Sequence, residues 1–259
     1  MNEHLTDIVN SLASQITEQE GRDRKRNGDA QAHFLQGIEH LIIQLWKGTQ
    51  IHEGFEGGIN KRAGWYSENS RYRDPNLTFK QTVFAYNGLL KMGLVQETQR
   101  GYFNQETLER SITRFAANDE LLSIFSDIKE DPFKAIQPDL FSESIILRDT
   151  IDGKKRQIDY LDTPGVNEMR DNLLLINKCV NAHYPDIRIR DDEWLPLQER
   201  IMANPKKQPI DLTRRMLVRI FLEGRFDRGG GFYQGWWQNV PSDYRPYITI
   251  AGKKTCEYD

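Results

Sequence analysis

The chain is poor in cysteine, has no long apolar run and carries no basic leader, and each absence removes a class of protein. Its 259 residues include two cysteines, Cys179 and Cys256, far apart and at no metal-ligand spacing. That excludes a disulfide scaffold and predicts a reducing, cytoplasmic compartment, with Cys179 in a core. The most apolar stretch, residues 38–46, contains Glu39, His40 and Gln44, and it falls short of the about 18 apolar residues that a membrane span needs. No contact with a membrane is expected. Residues 1–20 are polar and acidic, which predicts no secretory signal. The five histidines, His4, His33, His40, His52 and His183, form no His-Glu-x-x-His pattern, and neither a Gly-x-Ser-x-Gly elbow nor a phosphate-binding P-loop occurs. Hydrolase chemistry therefore has little support.

What is present is charge, unevenly placed. The net charge is −3, yet residues 60–115 hold nine basic side chains against five acidic ones, and residues 205–259 hold ten against six. Two basic stretches in an acidic chain fit a polyanionic partner, or simply a solvated surface.

Apolar spacing predicts an α+β fold: a helical N-terminal half with a winged-helix-like unit, residues 1–126, and a mixed α/β C-terminal half, residues 139–259. Leu5, Ile8, Val9, Leu12 and Ile16 predict one amphipathic helix, and Phe34, Leu35, Ile38, Leu41, Ile42 and Leu45 a second. A third begins at Thr78 and ends at Gly93. Leu94-Val95, the turn 97–101 and Tyr102-Phe103 then read as a short hairpin. Helix followed by hairpin is the order of a winged helix-turn-helix, with residues 79–92 as recognition helix and Gln99 and Arg100 at the wing tip. Lys80, Arg100, Arg110 and Arg114 are the candidate phosphate contacts. A helix is expected over 105–125, and a proline-containing connection over 127–138.

Further along, residues 144–148 and 157–161 flank Asp152-Gly153, a hairpin signal. Asp149, Asp159 and Asp162 near it are read as turn-forming residues in preference to metal ligands. A helix is expected over 168–183, an exposed strand over 186–192 and an amphipathic segment over 214–221.

The densest signal runs from Arg225 through Gly229-Gly230-Gly231 to Trp236-Trp237-Gln238. Arginines and aromatics around glycines can hold a phosphate backbone while rings stack on bases. The same residues can pack a core corner around a tight turn. The nucleic-acid reading takes Arg225, Arg228, Trp236 and Arg245 as contacts.

Residues 248–250 and 255–259 read as a hairpin whose second strand ends in Asp259. Thr255 to Asp259 resembles the opening of motif A of polymerase palm domains, and Arg225 to Asp259 resembles the lead-in to such a motif in uncharacterised bacterial and mobile-element proteins. The resemblance implies that Asp259 is a metal ligand and that a longer form of the chain would bind Mg²⁺ and act as a nucleotidyltransferase. Motif A continues past its aspartate and a second carboxylate follows it in palm domains, so the chain ending at Asp259 is expected to be inactive alone and to be the N-terminal portion of something longer. No catalytic residue is assigned. The expected function is binding of DNA or RNA in the replication of a mobile element. The competing expectation is a non-enzymatic winged-helix module for regulation or protein interaction, with the C-terminal aromatics as core. Neither reading names a protein partner.

Overall fold

Leu5, Val9, Leu12, Ala13 and Ile16 recur at helical spacing and form the buried stripe of α1 (Glu3–Glu20). The next helix, α2 (Gly28–Gly48), starts where the Asn27 side chain accepts the Ala30 N–H at 2.9 Å, which satisfies one of the orphan donors of its first turn. In the computed structural model the described residues are 3–21, 24–67, 70–103, 110–140, 142–204 and 207–256. They form two compact units, Met1–Ile136 and Gln137–Asp259. Helices and small sheets are mixed along the chain, an α+β class.

In the first unit, α1 and α2 are followed by β1 (Gly57–Ile59), α3 (Ala63–Ser67), α4 (Phe79–Lys91), β2 (Val95–Gln99), β3 (Tyr102–Phe103), β4 (Arg110–Ser111), β5 (Thr113–Ala117), α5 (Asp119–Asp127) and α6 (Pro132–Ala135). The sheet order is β1-β5-β2, all antiparallel. One core joins α1, α2, α4 and the sheet through Phe34, Ile38, Leu41, Tyr86, Leu89 and Phe115, all fully buried.

Two expectations are corrected here. From residue 110 on, the helix expected over 105–125 is instead two consecutive short strands, β4 and β5, followed by α5. Residues 104–109 lie outside the described residues, Thr113 and Phe115 are buried while Arg114 between them is exposed, and this period of two is that of a strand. Helical spacing resumes only after Asn118, with Leu121 and Phe125 inward. The connection expected over 127–138 contains α6, whose N-terminus is capped by Asp131 Oδ1 accepting the Phe133 N–H at 2.9 Å. Phe133 itself is buried.

Burial lowers the pKa of His40 on α2, with Lys47 adding to the effect and Asp74 opposing it. A base whose folded pKa is depressed binds more protons unfolded, so the first unit loses stability as pH falls through the unfolded value of about 6.5. Denaturant midpoints measured between about pH 7 and pH 5 should fall, and His40→Gln should flatten that part of the slope. An equal slope in the variant would assign it to other groups.

In the second unit the elements are β6 (Ile145–Ile151), β7 (Lys154–Gln157), α7 (Pro164–Ala182), β8 (Pro185–Ile187), α8 (Asp191–Met202), β9 (Val218–Leu222), β10 (Arg225–Tyr233), β11 (Ile248–Ile250) and β12 (Lys253–Lys254). One sheet runs β10-β9-β6-β7, with β6 and β9 parallel, and a second runs β12-β11-β8. Ile145, Leu147, Val166, Leu173 and Phe221 form a core where α7 covers the first sheet. Asp152 and Gly153 both have positive φ and join β6 to β7, as an Asp-Gly hairpin turn requires.

Two buried amides dock the long connection before β9. Asn177 donates to the Leu217 carbonyl and accepts its N–H, at 2.9 and 2.8 Å. Gln198 does the same with Ile210, at 2.8 and 2.9 Å. Each side chain thus replaces a strand partner and leaves no buried backbone group orphaned at that point.

Local expectations for this half are corrected in three places. Cys179 is exposed, because the inward face of α7 is Val166, Leu173 and Asn177. The strand expected over 186–192 stops at Ile187, since Glu193 Oε2 accepts the Arg190 N–H and starts α8. The amphipathic segment expected over 214–221 contributes β9. Finally, the three glycines do not form a turn. They lie within β10, where Gly229 and Gly230 take φ of +79° and +82° and the register against β9 shifts. A Cβ on Gly230 would lie 2.8 Å from the Phe221 ring, so glycine is needed for both its dihedral and the close approach. Among the described residues no helix is long and apolar enough to cross a membrane.

Candidate nucleic-acid interface

The geometry that bears on nucleic acid is concentrated in the first unit. Gln81, Thr82, Ala85, Tyr86 and Leu89 turn one face of α4 into the core. Lys80, Asn87 and Lys91, spaced seven and four residues apart, share the opposite face and are exposed. Lys80 Nζ stands 5.9 Å from the Phe84 ring centre. Lys91 Nζ donates to the Gln19 carbonyl at 2.9 Å, which ties the end of α4 to the end of α1.

Glu97 on β2 is already neutralised. Lys61 Nζ and the Tyr86 hydroxyl both donate to Glu97 Oε2, at 2.8 and 3.0 Å, and Lys61 lies 4.3 Å over the Tyr86 ring centre. Hydrogen bonding from Lys61 holds the Glu97 carboxyl below the usual carboxylate range, while burial pushes the Tyr86 hydroxyl up. The positive charge on α4 and the neighbouring strands is therefore not cancelled by Glu97.

The short hairpin expected over 94–103 does not form: residues 97–99 continue β2, which pairs with β5, and Tyr102-Phe103 pair with β4. Val95-Gln96-Glu97 pair with Phe115-Ala116-Ala117 of β5, and a register shift between Glu97 and Gln99 bends the ribbon. At Gly101 a Cβ would lie 2.8 Å from the Thr113 nitrogen, so only glycine lets the two strands approach there. Beyond it Tyr102 pairs with Ser111 and Phe103 with Arg110. Gln99 and Arg100 thus lie along the paired strands, Gln99 at the end of β2 and Arg100 between β2 and β3, and not at the turn expected for them. There the strands are joined by Gln99 Nε2 donating to Ser111 Oγ at 2.9 Å and by the Gly101 N–H donating to Thr113 Oγ1 at 3.1 Å. Arg100 and Arg114 are both exposed, and Gln99 is the register partner of Arg114. The backbone of Arg110 lies in β4, and its side chain is outside the described residues.

The second unit distributes its candidates differently. Arg225 makes a two-point pair with Asp227, at 2.8 and 2.5 Å, and that pairing lowers the aspartate's pKa. Arg228 Nε is 3.8 Å from Glu223. Both arginines are therefore engaged by their own strand or its turn. Arg245 donates from Nε to the Val240 carbonyl and lines a cavity of about 710 Å³ with Trp237, Pro185, Ile248 and Ile250. Trp236 is fully buried, which corrects its expected role: an enclosed indole cannot stack on a base. Asp162 pairs with Arg170 at 2.8 Å, and Asp149 and Asp159 each accept the following backbone N–H. Among the described residues no group of three His, Cys, Asp or Glu could hold a metal ion. Asp259 lies outside the described residues.

The sequence reading missed Asn87 and Lys91, although their helical offset from Lys80 was available once α4 was drawn. It also passed over Tyr102 and Phe103 as surface groups. Compared with protein-family models, curated proteins and solved structures, the chain matches none.

Proposed function

We propose that the first unit binds double-stranded DNA as a winged helix, with α4 in the major groove and the wing against the backbone. The observation that carries this reading is the order α2, β1, α3, α4, β2, β5 with β5 lying between β1 and β2. That arrangement backs α4 with a sheet and leaves its Lys80, Asn87 and Lys91 face outward. Duplex DNA fits better than duplex RNA, because the major groove of A-form RNA is too narrow to admit a helix. Lys80, Lys91, Arg100 and Arg114 supply the phosphate contacts and Asn87 is the group placed to reach a base edge.

Four such cations give a slope of log affinity on log salt of roughly −3 to −4. Raising salt from about 50 to about 200 mM should then weaken binding of the purified chain to a labelled duplex by about a hundredfold. Absence of any complex at the lower salt would sink the reading.

The resemblance of residues 225–259 to the lead-in of a palm motif A extends the proposal to replication of a mobile element. No metal-dependent step follows from the described residues. Two observations favour the second reading for part of the C-terminal half, a non-enzymatic module: Trp236 is enclosed and Arg225 is held by Asp227, while Phe232 and Tyr233 are exposed and stand outside that core. Arg225→Ala with Arg228→Ala should accordingly leave DNA affinity within about twofold, and a larger loss would return these residues to the interface.

A further inference from the structure

We propose that Tyr102 and Phe103 make the wing a reader of DNA junctions, stacking on the first unpaired bases where a duplex opens into single strands. This rests on the winged-helix reading and names the substrate that reading leaves open. Tyr102 is 54% and Phe103 58% exposed, the two most exposed aromatic side chains among the described residues. They are consecutive on β3, so they point to opposite faces of the β3–β4 ribbon. Neither belongs to the core of the first unit.

A ribbon bearing one ring on each side is the shape that fits between two diverging strands. Each ring can then take one base. Bases inside a duplex are already stacked and paired, and removing them costs energy, whereas the first unpaired bases of a fork carry no such penalty. Aromatic stacking is tolerant of sequence because every base presents a π-face. The strands of the wing are joined by the Gln99–Ser111 and Gly101–Thr113 hydrogen bonds, which limits the ordering cost of binding.

Charge selects a nucleic acid over an apolar protein surface. Arg100 and Arg114 are exposed on this ribbon, and residues 98–114 hold three basic side chains against two acidic ones, Glu106 and Glu109. Arg100 precedes Tyr102 by two residues and Arg114 is the register partner of Gln99, so the ribbon that carries the rings also carries cations for flanking phosphates.

The test uses the full chain and three fluorescent DNAs of shared sequence: a blunt duplex, a fork with two unpaired arms, and a single strand. Anisotropy should give the fork about tenfold tighter binding than the blunt duplex. Tyr102→Ala with Phe103→Ala should remove that preference and leave blunt-duplex affinity and the thermal melt unchanged. A 2-aminopurine at the first unpaired position should be quenched by the wild-type chain and not by the double variant. Equal wild-type affinity for fork and blunt duplex, or tighter binding of the single strand than of the fork, overturns the junction proposal and leaves the winged-helix reading standing. Failure to bind any of the three overturns both.

Discussion

Trp236→Ala should destabilise the second unit by about 3–5 kcal/mol, the cost of emptying a fully enclosed aromatic site. Trp236 has no exposed surface. Its backbone N–H donates to the Arg214 carbonyl at 3.0 Å and its ring meets Trp237 edge to face at 6.0 Å. A small domain has about 5–15 kcal/mol in all, so the loss is a large share of what keeps the unit folded. Amide exchange in β9 should accelerate by about a hundredfold or more if those amides exchange through unfolding of the unit. The indole N–H has no acceptor among the described residues, and a buried donor without a partner is costly. Trp236→Phe, which removes that donor and keeps most of the ring, should therefore cost much less than the alanine change. A variant that kept full stability and lost DNA affinity would overturn the core assignment.

The second large effect falls on binding and spares stability. Changing Lys80, Arg100 and Arg114 together to alanine should lower duplex affinity by about 100- to 1000-fold at moderate salt, and should flatten the salt slope by about three. All three are exposed, and surface changes of this kind usually stay within about 0.5 kcal/mol each. The denaturation midpoint is the control. Loss of affinity with an unchanged midpoint supports the α4 and wing surface, while unchanged affinity removes these residues from any interface.

Much of the first unit was legible because its helices bury regular stripes. Leu5 to Ile16 and Phe34 to Leu45 follow helical spacing without interruption, and Thr78 and Gly93 bracket α4. The stretch after the wing was not legible, because Leu108, Ile112 and Phe115 satisfy helical spacing while Thr113 and Phe115 equally satisfy a strand. The cross-strand partners of β5 settle that choice, and they lie far off in sequence. In the second unit the Asp-Gly turn was readable from its dihedral demand. The glycines of β10 were not, because a glycine run signals departure from ordinary backbone geometry without saying whether the result is a turn or a bulged strand. Trp236 looked like a ligand group for a related reason: sequence shows that an aromatic is near arginines and cannot show which of them face solvent. The candidate site itself was half visible. Lys80, Arg100 and Arg114 were named, while Asn87 and Lys91 needed the orientation of α4 to be noticed.

The parallel pairing of β6 with β9 has a consequence for how the polypeptide acquires its shape during synthesis. Ile145–Leu147 align with Arg219–Phe221, so α7, β8 and α8 must all be made before the centre of that sheet can close. The first unit also has distant contacts, α2 with α6 and α1 with α4, but all of its partners lie before Gln137. On a ribosome the first unit can finish while β6 is still without its partner. Closing a loop of this size is slow compared with helix packing, and until β9 emerges the apolar strand Ile145-Ile146-Leu147 needs temporary cover from α7 or from a chaperone.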